Sequence, residues 1–148
     1  MSTPSELERR LKVLEDIEAI KKLKAKYWNS VDDKKWDSLA ECLAPDFVFE
    51  SPMLGRLEGG DFSVKVLRRA MRNVATAHQG HSPSIEIITD STARGTWALQ
   101  DRVRLTDGQF LTGYGRYEEE YVKENGTWKI RFSRLTYIFQ DNLAGSAK

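Results

Sequence analysis

Ala93-Arg-Gly-Thr-Trp-Ala-Leu-Gln-Asp-Arg-Val-Arg-Leu105 is the stretch on which the fold turns. In an extended chain alternate side chains share a face, so Gly95, Trp97, Leu99, Asp101, Val103 and Leu105 line one side. Thr96, Ala98, Gln100, Arg102 and Arg104 line the other. The first row is apolar except for Asp101. A carboxylate there is costly without a partner, and such carboxylates are often functional. Upstream, Thr76 to Thr89 reads as a second strand carrying His78-Gln79-Gly80-His81, joined through Asp90-Ser91-Thr92. Downstream, Asp107-Gly108 and Asn125-Gly126 are strong hairpin signals. They bound two further strands, about Gln109 to Glu124 and Thr127 to Gln140.

The amino-terminal half reads differently. Leu7, Leu11, Leu14, Ile17, Ile20, Leu23, Tyr27 and Val31 recur at steps of three and four, one apolar stripe on a long helix. Ser5 and Glu8 make a capping box at its start, and it should end near Val31 to Asp33. Asp33 is placed to cap a second helix, Lys34 to Leu43, which Pro45 ends. Asp46 to Ser51 reads as a short strand and Met53 to Gly60 as a loop. Asp61 is placed to cap a third helix, about Phe62 to Val74. Helices followed by a meander of long antiparallel strands predict an α+β domain over residues 1–148. Its sheet should curve around the helices into a cone with an apolar pocket, and 144–148 should form a flexible tail.

Composition sets bounds on function. With 148 residues the chain can bury a substantial core. The 23 basic and 22 acidic residues give a net charge of +1, which argues against a nucleic-acid footprint. No apolar run approaches the roughly 18 residues of a membrane span. The start shows no signal peptide, and the single Cys42 fits a reducing compartment, so a cytoplasmic protein is expected.

Two histidines three apart on a strand face opposite ways, so His78 and His81 chelate poorly, and no metal is expected. Either can serve as a general acid or base, or be an ordinary structural histidine. Asp101 can occupy a pocket or pair with Arg116 or Arg134 across strands. Tyr27 sits in the helical stripe, where its hydroxyl either tops a core ring or donates to a developing oxyanion. Asp32 has no evident structural duty. It lies five residues beyond Tyr27, so the two converge on one pocket only if the helix end unwinds. The charged Arg9 to Lys26 positions read as a solvated helix face, and Glu118-Glu119-Glu120 as strand-edge surface.

Several words of the chain, in order, resemble the SnoaL-like branch of the nuclear-transport-factor-like (cystatin-like α+β) superfamily. They are Asp16-Ile-Glu-Ala-Ile-Lys-Lys-Leu-Lys-Ala-Lys-Tyr27, Asp32, Trp36-Asp-Ser-Leu, His78-Gln-Gly-His-Ser-Pro-Ser-Ile85, Ala93 to Asp101, and Asn125-Gly-Thr-Trp128. Within that branch the chain is most similar to bile-acid 7α-dehydratases and related cofactor-free dehydratases. The resemblance implies that Tyr27, Asp32, His78 and Asp101 are the catalytic group, with Trp97 and Tyr137 contacting substrate. Tyr137 stands where those dehydratases carry an arginine, and Arg134 nearby has the opposite parity. The implied activity is a lyase, a dehydratase working by acid-base catalysis without a cofactor on a hydrophobic, polycyclic or aromatic hydroxy-carbonyl compound. An isomerase or cyclase on the same scaffold, or a non-catalytic small-molecule-binding domain, are the alternatives. A homo-oligomer, dimer or trimer, is implied as well, with Thr96, Ala98 and Gln100 on the covered sheet face.

Overall fold

A computed structural model describes residues 5–143. The expected tail at 144–148 lies outside the described residues. The elements run α1 (Glu6–Asp32), α2 (Trp36–Glu41), β1 (Leu43–Ser51), β2 (Gly55–Glu58), α3 (Gly60–Met71), β3 (Ala75–Thr89), β4 (Thr92–Arg104), β5 (Phe110–Glu124) and β6 (Thr127–Leu143). They form an α+β fold in which helices pack on one six-stranded curved sheet of order β2-β1-β6-β5-β4-β3. All strand pairs are antiparallel except β1 with β6. The meander β3 to β6 is antiparallel, as its turns predict, and the one parallel pair is made where β1 joins β6. Bulges near Ser82 in β3 and Ile138 in β6 interrupt the ladders, and such irregularities bend strands. The Asn125-Gly126 turn has the two positive φ angles, 51° and 78°, that a tight hairpin needs.

The capping box forms: the Ser5 N–H donates to Glu8 at 2.5 Å, and the Glu8 N–H to Ser5 Oγ at 3.2 Å. The other two expected caps do not. Asp33 ends α1 and pairs with Lys35, and α3 starts after Gly59 rather than on an Asp61 cap. The Met53 to Gly60 loop contains the edge strand β2, which pairs with β1.

The α1 stripe is buried only in its second half. Ile20, Tyr27, Trp28 and Val31 enter the core, whereas Leu7, Leu11 and Leu14 are 72%, 54% and 63% exposed. The first turns project past the sheet, so apolar spacing there has nothing to pack against. Gly80 faces Trp28, and any Cβ on it would overlap the indole. That glycine lets α1 settle onto β3.

The largest surprise is ionic. Lys24 and Glu119, both fully buried, form an ion pair at 2.5 Å. Glu119 also accepts from Tyr121 Oη at 2.5 Å and Ser133 Oγ at 2.8 Å, and Tyr121 Oη accepts from Trp97 Nε1 at 3.0 Å. The ammonium stands 4.2, 4.6 and 3.9 Å from the ring centres of Tyr27, Trp28 and Tyr117. Lys24 is thus not on a solvated face, nor is Glu119 on a strand edge. On α1, Lys24 occupies an inward position between Ile20 and Tyr27. On β5, Glu119 has the parity of Tyr117 and Tyr121. A buried charge is tolerated when it is paired and its remaining sites are satisfied, which this network achieves.

Candidate active site

His78 and Asp101 are direct cross-strand partners on β3 and β4, both facing the helices. His81 takes the opposite parity and is exposed. His78 turns its imidazole toward the end of α1, where Nδ1 lies 2.6 Å from Asp32 Oδ1. The His78 backbone N–H donates to Asp32 Oδ2 at 2.9 Å, and Thr76 Oγ1 donates to Oδ1 at 2.9 Å. Helix α1 stays regular through Asp32, so no unwinding brings the groups together. Asp32 reaches the cavity through His78 instead. Lys34, at φ 60°, turns the chain immediately afterwards.

Partial burial pushes the Asp32 carboxyl up, but hydrogen bonds from the His78 ring, its N–H and Thr76, with the imidazole's charge, outweigh it. The carboxyl is held below its ordinary 3.8. An ionised carboxylate only accepts, so Nδ1 carries the hydrogen. In neutral His78 the Nε2 lone pair is then free, and among the described residues nothing engages it. That is the arrangement of a base oriented by a third group.

Asp101 is 6% exposed, and its Oδ2 accepts from the Tyr137 hydroxyl at 2.6 Å. It pairs with neither Arg116 nor Arg134. Gly113 lies opposite Asp101 on β5, and a Cβ there would collide with Asp101 Oδ1 and the Tyr137 ring. Burial, then the Asp101 carboxylate, hold the Tyr137 phenol above 10.0, so it remains the donor.

Tyr27, His78, Asp101 and Tyr137 all line one cavity, whose walls include Val31, Phe49, Leu67 and Leu135. Burial above all, then the charge of Glu119, raises the Tyr27 phenol above 10.0. Among the described residues its hydroxyl has no hydrogen-bond partner. The enclosed space is about 50 Å³, well below the 300–1,000 Å³ or so of typical ligand pockets. Met53, Leu54 and Met71 also border it, and Met53 is 56% exposed. Flexible methionines there can yield to a ligand.

Trp97 is not part of this lining. It lies two inward positions deeper along β4 than Asp101, where its ring meets Trp28 edge-on at 5.2 Å and its N–H is spent on Tyr121. The expected substrate contact at Trp97 is therefore a core contact. Tyr117 was missed. It is buried and lines the cavity. Its inward parity on β5, between Gly115 and Glu119, was the available signal. Among the described residues no three His, Cys, Asp or Glu side chains are grouped to hold a metal ion, and no helix is long and apolar enough to cross a membrane.

Comparison with solved structures places this architecture among known relatives. A hexachlorocyclohexane dehydrochlorinase (LinA, type 2) superposes with a TM-score of 0.85 at 20% identity, covering 92% of this chain and 94% of its own. A candidate scytalone dehydratase from Novosphingobium aromaticivorans gives 0.82 at 20% identity, covering 90% and 91%. An uncharacterised protein with a cystatin-like fold from Caulobacter vibrioides gives 0.74 at 17%, covering 84% and 91%. At these identities the likeness is one of fold. The model of the SnoaL-like domain family matches residues 12–134, and this chain belongs to that family.

Proposed function

We propose that the chain is a lyase, a dehydratase that uses general acid-base catalysis on a hydrophobic hydroxy-carbonyl compound. The observation that supports this most is the His78 imidazole, tied through Nδ1 to Asp32 and lining an apolar cavity. In the proposed reaction Nε2 removes a proton from the carbon beside the carbonyl. The unengaged Tyr27 hydroxyl donates to the enolate oxygen as charge develops there. The imidazolium then protonates the departing hydroxyl, the C–O bond breaks, a C=C bond forms, and water leaves. Because Asp32 already holds His78 through Nδ1, Asp101 is left as a second polar group of the cavity. No cofactor enters this scheme.

A screen of hydroxy-ketones and hydroxy-enones, read by mass spectrometry, tests the proposal. Loss of one water supports it. An unchanged mass with a new chromatographic peak replaces it with an isomerase. We also infer a cytoplasmic homo-oligomer, a dimer or trimer covering the outer sheet face at Thr96, Ala98 and Gln100. Light scattering on the purified chain decides that point, and a monomer overturns it.

A further inference from the structure

The cavity lining holds no lysine or arginine, and its one imidazole, His78, is already paired with Asp32. Its polar lining groups are three phenols, the Ser51 hydroxyl, that imidazole and the Asp101 carboxylate. The ammonium groups of Lys24 and Lys34 are engaged elsewhere. Lys24 lies behind the Tyr27 and Tyr117 rings, bound to Glu119, and Lys34 donates to Thr76 Oγ1 at 3.2 Å. Asp101 offers the cavity one oxygen. Oδ2 is held by Tyr137, while Oδ1 has no donor among the described residues. Oδ1 is not among the fully buried atoms left without a partner, so it is open to a ligand, and a carboxylate oxygen that accepts from a ligand O–H gains a charge-assisted hydrogen bond.

We propose that the Asp101–Tyr137 pair is a specificity determinant that selects an uncharged ligand and receives its hydroxyl at Asp101 Oδ1. Tyr137 fixes the carboxylate in place, and Gly113 leaves the room for both. A carboxylate or phosphate in the cavity would face Asp101 in a confined apolar space with no lysine or arginine to offset it, and with any charge on His78 already balanced by Asp32. An aliphatic or aromatic alcohol meets the missing donor instead. This inference rests on the proposed reading of the cavity as a substrate site, and names the class of substrate it takes.

Three matched probes test it by calorimetry or NMR titration, with no turnover required: 1-indanol, indane and indane-1-carboxylate. The wild-type protein should bind the alcohol at least about tenfold more tightly than either of the others. Asp101→Asn should erase the discrimination against the carboxylate. Tyr137→Phe should reduce the preference for the alcohol severalfold, with circular dichroism showing that both variants are folded. Carboxylate binding equal to or tighter than that of the alcohol overturns the proposal, as does the absence of saturable alcohol binding. If selectivity holds but the screen finds no water loss, the lyase reading fails and this one stands. If the enzyme dehydrates an anionic compound, the reverse follows.

Discussion

Asp32 accepts from His78 twice, from the backbone N–H at 2.9 Å and from Nδ1 at 2.6 Å. The two contacts together fix both the position of β3 against the end of α1 and the orientation of the imidazole. A single hydrogen bond would leave the ring free to rotate about it. The paired contact defines which nitrogen is presented to the cavity.

His78→Ala and Asp32→Asn should each lower turnover by at least about a hundredfold while the protein remains folded. Asp32→Asn retains an acceptor but loses the charge that stabilises the imidazolium, so its defect should fall on kcat more than on KM. Turnover within a few-fold of wild type in either variant, measured on a substrate found in the screen, would sink the acid-base mechanism.

Acid stability carries the signature of the same contact. The Asp32 carboxyl is lower in the folded protein than its ordinary 3.8, so its contribution is fully present above that value. It is lost as pH falls through the lower, folded value. Asp32→Asn should therefore flatten the acid limb of a urea-stability profile relative to wild type. An unchanged slope would mean that the contact is not maintained in solution.

Alkaline titration reads the buried phenols. Four of the five tyrosines, Tyr27, Tyr117, Tyr121 and Tyr137, are held above 10.0, with burial the largest cause in each. Their folded values are raised, so this contribution is complete below 10.0 and lost as pH climbs toward the folded values. Most phenolate absorbance should then appear together with loss of the far-ultraviolet dichroism. Release of all the phenols from a still-folded chain would contradict the packing described.

Gly113→Ala should separate two kinds of damage. The added methyl meets Asp101 Oδ1 and the Tyr137 ring, so the pair must part. Overpacking of this kind costs about 1–3 kcal/mol. The variant should melt lower and lose its preference for alcohols, while the His78–Asp32 contact, two strands away from Gly113, is retained.

Replacing one member of the internal ion pair should be far worse than replacing both. Lys24→Met or Glu119→Leu strands a buried polar partner, at a cost of roughly 3–5 kcal/mol. The double variant Lys24→Met/Glu119→Leu should recover a large part of that loss. Chemical denaturation of the four proteins gives the coupling directly, and additive effects would show that the two charges do not depend on each other.

The strands were legible because their parity and turns are written locally. Asp101 stood out in an apolar row, and His78 and His81 separated by parity alone. The long helix was equally clear, but its burial was not. Leu7 and Lys24 trade the roles that hydropathy suggests, because where the helix leaves the sheet, and which acid faces it from 95 residues away, are facts of tertiary contact. Trp97 was misjudged for a related reason. It shares a row with Asp101, but a row on a curved sheet runs from the deep core to the cavity, and spacing does not mark where one becomes the other. Tyr137 was noticed through comparison, yet its bond to Asp101 needed the register of β4, β5 and β6 together.

The caged ammonium also bears on how such a protein can diverge. Lys24 touches Tyr27 and Tyr117 and is neutralised by Glu119, so a change at either charge must pass through an unstable intermediate unless both change together. The deep wall of the cavity is therefore held in an epistatic lock. The side chains of Met53, Leu54 and Met71 enter none of the ion pairs among the described residues, and they can be exchanged one at a time. New substrate preferences on this scaffold should arise by substitution at those three positions first, with the tyrosine wall inherited unchanged.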